Sequence, residues 1–216
     1  MNAKLRRCIW FVLGILLNSL GIVLITKAAL GTSPISSLPY VLSFAFPLTL
    51  GQFTFLVNLL FIAGQMVLRR RNFAPIQLLQ IVVNVIFSGC IDISMSLFGW
   101  LQPSTLPAQG LSLLAGCAVL ALGISMEVAP DVLTVPGEGI VKAIAQTTHH
   151  KFGSTKMAFD VTLVATAAVL SLLFFHRLQG LGLGTVISAL LVGRLVNLCN
   201  RRIPLISAIA RLKEAV

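Results

Sequence analysis

Six stretches of this chain are apolar for long enough to cross a lipid bilayer, and this restricts the fold more than any other feature. A bilayer core of about 30 Å takes roughly 20 residues of helix. The stretches are 9–26, 52–68, 76–100, 110–126, 157–175 and 181–198. Inside lipid every backbone N–H and C=O must find a partner within the protein, which leaves helices and closed barrels. Runs of this length specify helices, so the expected class is an all-α integral membrane protein. Two shorter apolar stretches, 34–46 and 136–148, have 13 residues each. At 1.5 Å per residue they reach about 20 Å, too short to cross comfortably. Each opens on a proline, which suits the first turn of a helix.

Composition agrees. Only 10% of the residues are charged, against about 25% in soluble domains, and the mean hydropathy is +0.98. A soluble globule, a disordered chain and a disulfide scaffold are excluded. Sixteen bases against six acids give a formal charge of +10. Such a balance ordinarily suggests nucleic acid. Here it arises more from scarce acids than from abundant bases, and no nucleic-acid partner is expected. The first span follows the basic segment Lys4-Leu5-Arg6-Arg7. It is long for a signal peptide, and no small-x-small cleavage site follows it, so a retained span is expected.

Charge placement chooses between six crossings and eight. Lys and Arg favour cytoplasmic loops. If the short stretches dip in and return, and the N-terminus is inside, 13 bases lie on the cytoplasmic side and only Lys27 and Arg177 lie outside. If both short stretches cross, Arg69, Arg70 and Arg71 move outside, Lys142 enters the membrane, and the score falls to 9 against 5. The preferred arrangement is six transmembrane helices with two short re-entrant helices and both termini cytoplasmic.

The two halves match at a constant offset of 102. Gly14 pairs with Gly116, and Leu20-Gly21-Ile22 with Leu122-Gly123-Ile124. Thr32 and Pro34 pair with Thr134 and Pro136, Gly51 with Gly153, Asn58 with Asp160, and Ala63 with Ala165. With a two-residue shift, Asn84 and Gly89 match Ser188 and Gly193. Glycine and proline fix turns and helix starts, so their recurrence at one offset carries more weight than matching leucines. The first repeat covers 1–105 and the second 106–200, followed by a basic amphipathic tail over 201–216 suited to the inner membrane surface. Three crossings per repeat would insert the second one upside down. Many secondary transporters are built from such inverted repeats.

The starts of the short helices are the candidate site. Non-helical backbone at membrane depth must be buried in protein or face water. A helix N-terminus there presents N–H groups and a positive dipole end. Thr32, Ser33, Ser36 and Ser37 bring hydroxyls to the first start; Thr134, Gly137 and Glu138 lie at the second. Ser or Thr before a helix is equally a plain N-cap. Glu138 holds the position of Ser36 in the first repeat and sits between two glycines. A buried acid there could bind a cation, carry a proton, or pair with Arg194 or Lys142; it could also be a solvated residue at the cytoplasmic mouth. Asp160, the partner of Asn58, lies four residues from Lys156, the spacing of a local ion pair. Asp92 and Arg194 are further membrane-embedded charges, with a structural pair between them as one reading. Five of the six acids, Asp92, Glu127, Asp131, Glu138 and Asp160, fall in or near membrane segments.

Other motifs are weaker. Gly180-Leu181-Gly182-Leu183-Gly184 has no strand–turn–helix context and is no dinucleotide fingerprint; its small residues allow close helix approach. His149 and His150 are adjacent and point in different directions, which argues against a shared metal. Cys8, Cys90, Cys117 and Cys199 lack CxxC spacing. No metal, cofactor or catalytic triad is expected.

The segment Ala29-Leu30-Gly31-Thr32-Ser33-Pro34, with Gly182-Leu183-Gly184-Thr185 at the last span, resembles the YczE/YitT-type group of bacterial multi-spanning inner-membrane proteins. The resemblance runs along nearly the whole chain and implies an inner-membrane protein suspected of transport, with no substrate named. Related proteins carry an acid near the end of the third span, which Asp92 matches. The last span departs from the pattern, with Arg194 after Gly193 where a proline or small residue is expected.

These readings lead to a small secondary transporter or exporter of a polar or anionic solute. The two short helices would meet near the midplane, with Glu138 or Asp160 as the coupling group. Alternatives from other classes are a substrate-binding subunit that needs an energising partner, a lipid-active membrane enzyme, and a membrane factor that assists another protein. The expected partners are the bilayer, a small-molecule substrate, and either a second copy or an energising subunit.

Overall fold

The computed structural model describes residues 3–70, 75–130, 132–133, 135–150 and 152–211. These residues are all-helical. In chain order they form α1 (Ala3–Lys27), α2 (Pro34–Ala45), α3 (Leu50–Arg69), α4 (Leu79–Leu97), α5 (Leu106–Val128), α6 (Pro136–Thr148), α7 (Phe152–Phe175), α8 (Leu183–Arg202) and α9 (Pro204–Arg211). Six of them, α1, α3, α4, α5, α7 and α8, are long and apolar enough to cross a membrane. The two short stretches became the 12-residue α2 and the 13-residue α6, each beginning on its proline. α4 is shorter than the apolar run 76–100: a 3-10 turn, Pro75–Leu78, precedes it. Exposed side chains on α7 and α8 are largely apolar, Met157, Leu173, Leu183 and Leu190 among them, as a lipid-facing surface requires.

The chain divides into two compact units, each drawing on both halves of the sequence. One contains α1, α5, α8, α9 and the last residues of α4. The other contains α2, α3, α6, α7 and most of α4.

In the first unit α1 and α5 share a seam of glycines. A methyl group at Gly14 would strike the Glu127 backbone, one at Gly21 the Leu120 backbone, one at Gly116 Ile25, and one at Gly123 the Asn18 backbone. The numbers rise along α1 as they fall along α5, so the helices are antiparallel. Small residues let helix backbones approach closely, which is how helices associate in lipid. α8 joins this pair through its first turns. Gly184 N donates to the Leu30 carbonyl at 2.8 Å, Thr32 N to Thr185 Oγ1 at 3.1 Å, and Ser188 Oγ to the Thr32 carbonyl at 3.2 Å. Gly31, at φ +129°, has no room for a side chain against Thr185. α9 lays Ile206 and Ile209 on Met126, with Trp10, Leu17 and Leu122 around them. Its apolar face is therefore packed on its own chain, and Leu205 stays exposed.

In the second unit α3 and α4 are also antiparallel, but their seam is polar. Gln65 and Gln80 exchange amide hydrogen bonds at 3.2 and 3.3 Å. Asn58 Nδ2 donates to Asn84 Oδ1 at 2.8 Å, and Asn84 Nδ2 to the Phe55 carbonyl at 3.0 Å. At the far end Asp92 accepts from Thr49 Oγ1 at 2.6 Å and from Gly51 N at 2.8 Å. Thr49 is itself the N-cap of α3, in a capping box with Gln52.

Candidate functional site

The first turns of α2 and α6 meet. The Ile35 side chain, on the second residue of α2, occupies the space a side chain on Gly137 would fill, and Gly137 is the second residue of α6. These two positions correspond at the offset of 102. The glycine on the other side of Glu138 has its own neighbour. A methyl group at Gly139 would collide with the Gln65 carboxamide, whose Nε2 donates to the Pro136 carbonyl at 3.2 Å. The two glycines flanking Glu138 are thus explained by close packing: one receives α2, the other α3.

Around this junction the polar groups divide by helix. Ser36 and Ser37 are buried in the first turn of α2, and Ser37 Oγ donates to the Pro34 carbonyl at 2.6 Å. Proline has no N–H to satisfy at the start of either helix. On α6 the N-cap is Val135, which offers no side-chain acceptor, so its first-turn N–H groups are uncapped by that residue. Glu138 stands in that turn, where the positive dipole end favours an anion. The charges acting on Glu138 are Lys156 and Asp160, both on α7. Lys156 Nζ and Asp160 Oδ1 form an ion pair at 2.6 Å. Glu138, Lys156 and Asp160 therefore make one charged cluster beside the junction, and Lys142 is exposed elsewhere on α6.

The remaining candidates lie as follows. Thr32 is fully buried in the α1–α8 latch. Its N–H and carbonyl are engaged by Thr185 and Ser188. Its hydroxyl lies 2.9 Å from that of Thr26, which donates to the Ile22 carbonyl, so Thr32 is the donor between them. Ser33 is buried at the end of the same segment. Thr134 and Asp131 lie outside the described residues. Asn58 faces Asn84 on α4, and its repeat partner Asp160 faces Lys156. Asp92 serves the N-terminus of α3, and Arg194 is exposed on α8. No metal-holding group of His, Cys, Asp and Glu occurs among the described residues.

Gln65 and Gln80 were missed as site residues, although both are 1% exposed and one touches the start of α6. Their signal was available. Gly51, Asn58 and Gln65 are seven residues apart on α3, and Gln80, Asn84, Ser88 and Asp92 are four apart on α4. Both spacings keep residues on one helix face.

A family model matches residues 5–201. The chain belongs to the family of unknown function DUF6198. No curated protein and no solved structure matches this DUF6198 chain. What the site does must therefore be argued from its own chemistry.

Proposed function

We propose that the protein is a small secondary transporter or exporter of a polar or anionic solute in the bacterial inner membrane. In this reading it is built from two inverted three-span repeats, with α2 and α6 as re-entrant helices and both termini cytoplasmic. The observation that carries it is the Ile35–Gly137 contact. A two-fold axis brings equivalent residues together, and these two are equivalent at the offset of 102. The α1–α5 seam has the same property: Gly14 on Glu127 and Gly116 on Ile25 are the same contact with the repeats exchanged. Paired short helices whose N-termini converge within the membrane are a recurrent site for small solutes.

Ser36 and Ser37 then supply hydroxyls at the positive end of α2, suited to an anionic group. Gly137 and Glu138 supply the opposing wall. The cluster of Glu138, Lys156 and Asp160 holds the charges whose protonation or ion pairing couples transport, as one repeat rocks against the other. Asp92 and Asn58 act as braces of the α3–α4 seam. The wider kinship is with the YczE/YitT-type group, supported by the Ala29–Pro34 segment and the glycine-rich start of α8.

Purified protein in liposomes, offered a panel of small solutes on a pH gradient, provides the test. Uptake by the parent that falls at least tenfold in Glu138→Gln and in Ser36→Leu, with unchanged melting temperatures, supports the reading. Absence of uptake for every solute, with binding retained, would shift the assignment to a subunit that needs an energising partner. Chemical turnover of a lipid would shift it to an enzyme.

A further inference from the structure

A second carboxyl is buried in the α1–α5 seam. Glu127 lies one residue from the end of α5 and is 2% exposed. Asn18 Nδ2, on α1, donates to Glu127 Oε2 at 2.7 Å. The pair sits in close helix packing: Gly14 lets α1 rest on the Glu127 backbone, and Gly123 lets α5 rest on Asn18.

The chain contains its own control for this pair. At the offset of 102, Asn18 corresponds to Leu120 and Glu127 to Ile25. Leu120 seats on Gly21 as Asn18 seats on Gly123, and Ile25 seats on Gly116 as Glu127 seats on Gly14. The same packing is thus built twice. At one end of the seam it uses Leu120 and Ile25, which are 4% and 0% exposed; at the other it uses an amide and a carboxyl. Burying a carboxylate costs several kcal/mol, and apolar replacements of buried polar pairs are often neutral or stabilising. Packing alone would have favoured the apolar solution at both ends, and membrane-embedded acids are functional candidates by default.

We propose that Glu127 is a proton-binding site that exchanges with water at the face carrying the N-terminus. The step is a simple one: a hydronium ion gives its proton to the carboxylate, one O–H bond forms, and water leaves. Asn18 suits both states, since its N–H₂ can donate to a carboxylate or to the carbonyl of the acid, and its own carbonyl can accept from the acid O–H. The surroundings set the charge. From α1, Arg7 reaches this end and its Nε donates to the Pro130 carbonyl at 2.9 Å, just past α5; Arg6 is exposed and Lys4 precedes it. α8 carries Arg194, Arg201 and Arg202, and α9 carries Arg211, all exposed; neither helix has an acid. α9 covers the neighbouring Met126. Uptake therefore neutralises a buried carboxylate, which alters its attraction to the basic residues of these helices. The inference goes beyond the transport reading and does not depend on it.

Infrared difference spectra of the purified full-length protein, recorded between acidic and alkaline buffer without any solute, test this. A carboxylic-acid C=O band that disappears in Glu127→Gln, shifts in Asn18→Leu and persists in Asp92→Asn is the expected result. The double variant Asn18→Leu/Glu127→Ile copies the other end of the seam. It should fold, melt no lower than the parent, and lack the band. A band unchanged in Glu127→Gln overturns the proposal. So does a double variant that fails to fold, because the pair would then be a structural requirement.

Discussion

The fit of Ile35 against Gly137 is a knob and a hole contributed by equivalent positions. Overfilling a packed contact typically costs about 1–3 kcal/mol. Gly137→Val should therefore lower the thermal stability of the protein by that order, and Ile35→Ala in the same chain should recover most of it. A double variant no better than Gly137→Val would mean that the two side chains do not meet. The two glycines were legible in the sequence as the residues flanking Glu138, but the reason for each was not. Gly137 answers to Ile35 on α2 and Gly139 to Gln65 on α3, and no local pattern in 136–139 names either neighbour. Asp160 is the opposite case: its partner Lys156 was readable from i, i+4 spacing, and the ion pair is formed. A local contact is written in the local sequence, and a contact across the fold is not.

Among the elements, α3 and α4 are joined by side-chain amides where α1 and α5 are joined by glycine. Interhelical hydrogen bonds in membranes contribute about 1 kcal/mol or less each, since the unfolded chain also finds partners. Asn58→Leu alone strands the Asn84 carbonyl and should destabilise by about 1 kcal/mol. Asn58→Leu/Asn84→Leu should cost less than the two single changes added together. Strictly additive melting shifts would show that the bond contributes nothing. The six long helices and the short lengths of α2 and α6 followed from apolar run length, which is a one-dimensional property, and the starts of the short helices from Pro34 and Pro136. The bounds of α4 did not, because the 3-10 turn at Pro75–Leu78 takes the first part of the run. The amide seam escaped notice because Gln65 and Gln80 were weighed singly, and only their spacing on two facing helices reveals a pair.

For the molecule as a whole, the proposed topology makes a prediction about sidedness. Leu48, just before α3, and His150, just before α7, are both exposed. With α2 and α6 re-entrant, Leu48→Cys should react with an impermeant reagent from outside and His150→Cys from the cytoplasm. If both short helices crossed, the two would label from the same side. The placement of the bases favours the first outcome, since 13 of the 16 fall on one face in that arrangement and only 9 in the other. The residue matches at the offset of 102 were visible in the sequence. That the compact units would each take helices from both halves was not visible, because pairing between distant helices is a property of three dimensions.

The latch between the segment around Thr32 and the start of α8 joins residues 153 and 156 positions apart. A chain is made from its N-terminus, so α1 and the segment after it reach the membrane long before Thr185 and Ser188 exist. Until then the Thr32 N–H and carbonyl lack the partners that hold them in the finished protein. The last long helix is thus the fastening for the first loop. A chain terminated before residue 183 would carry an unfastened polar segment, with the Thr32 N–H and carbonyl deprived of Thr185 and Ser188.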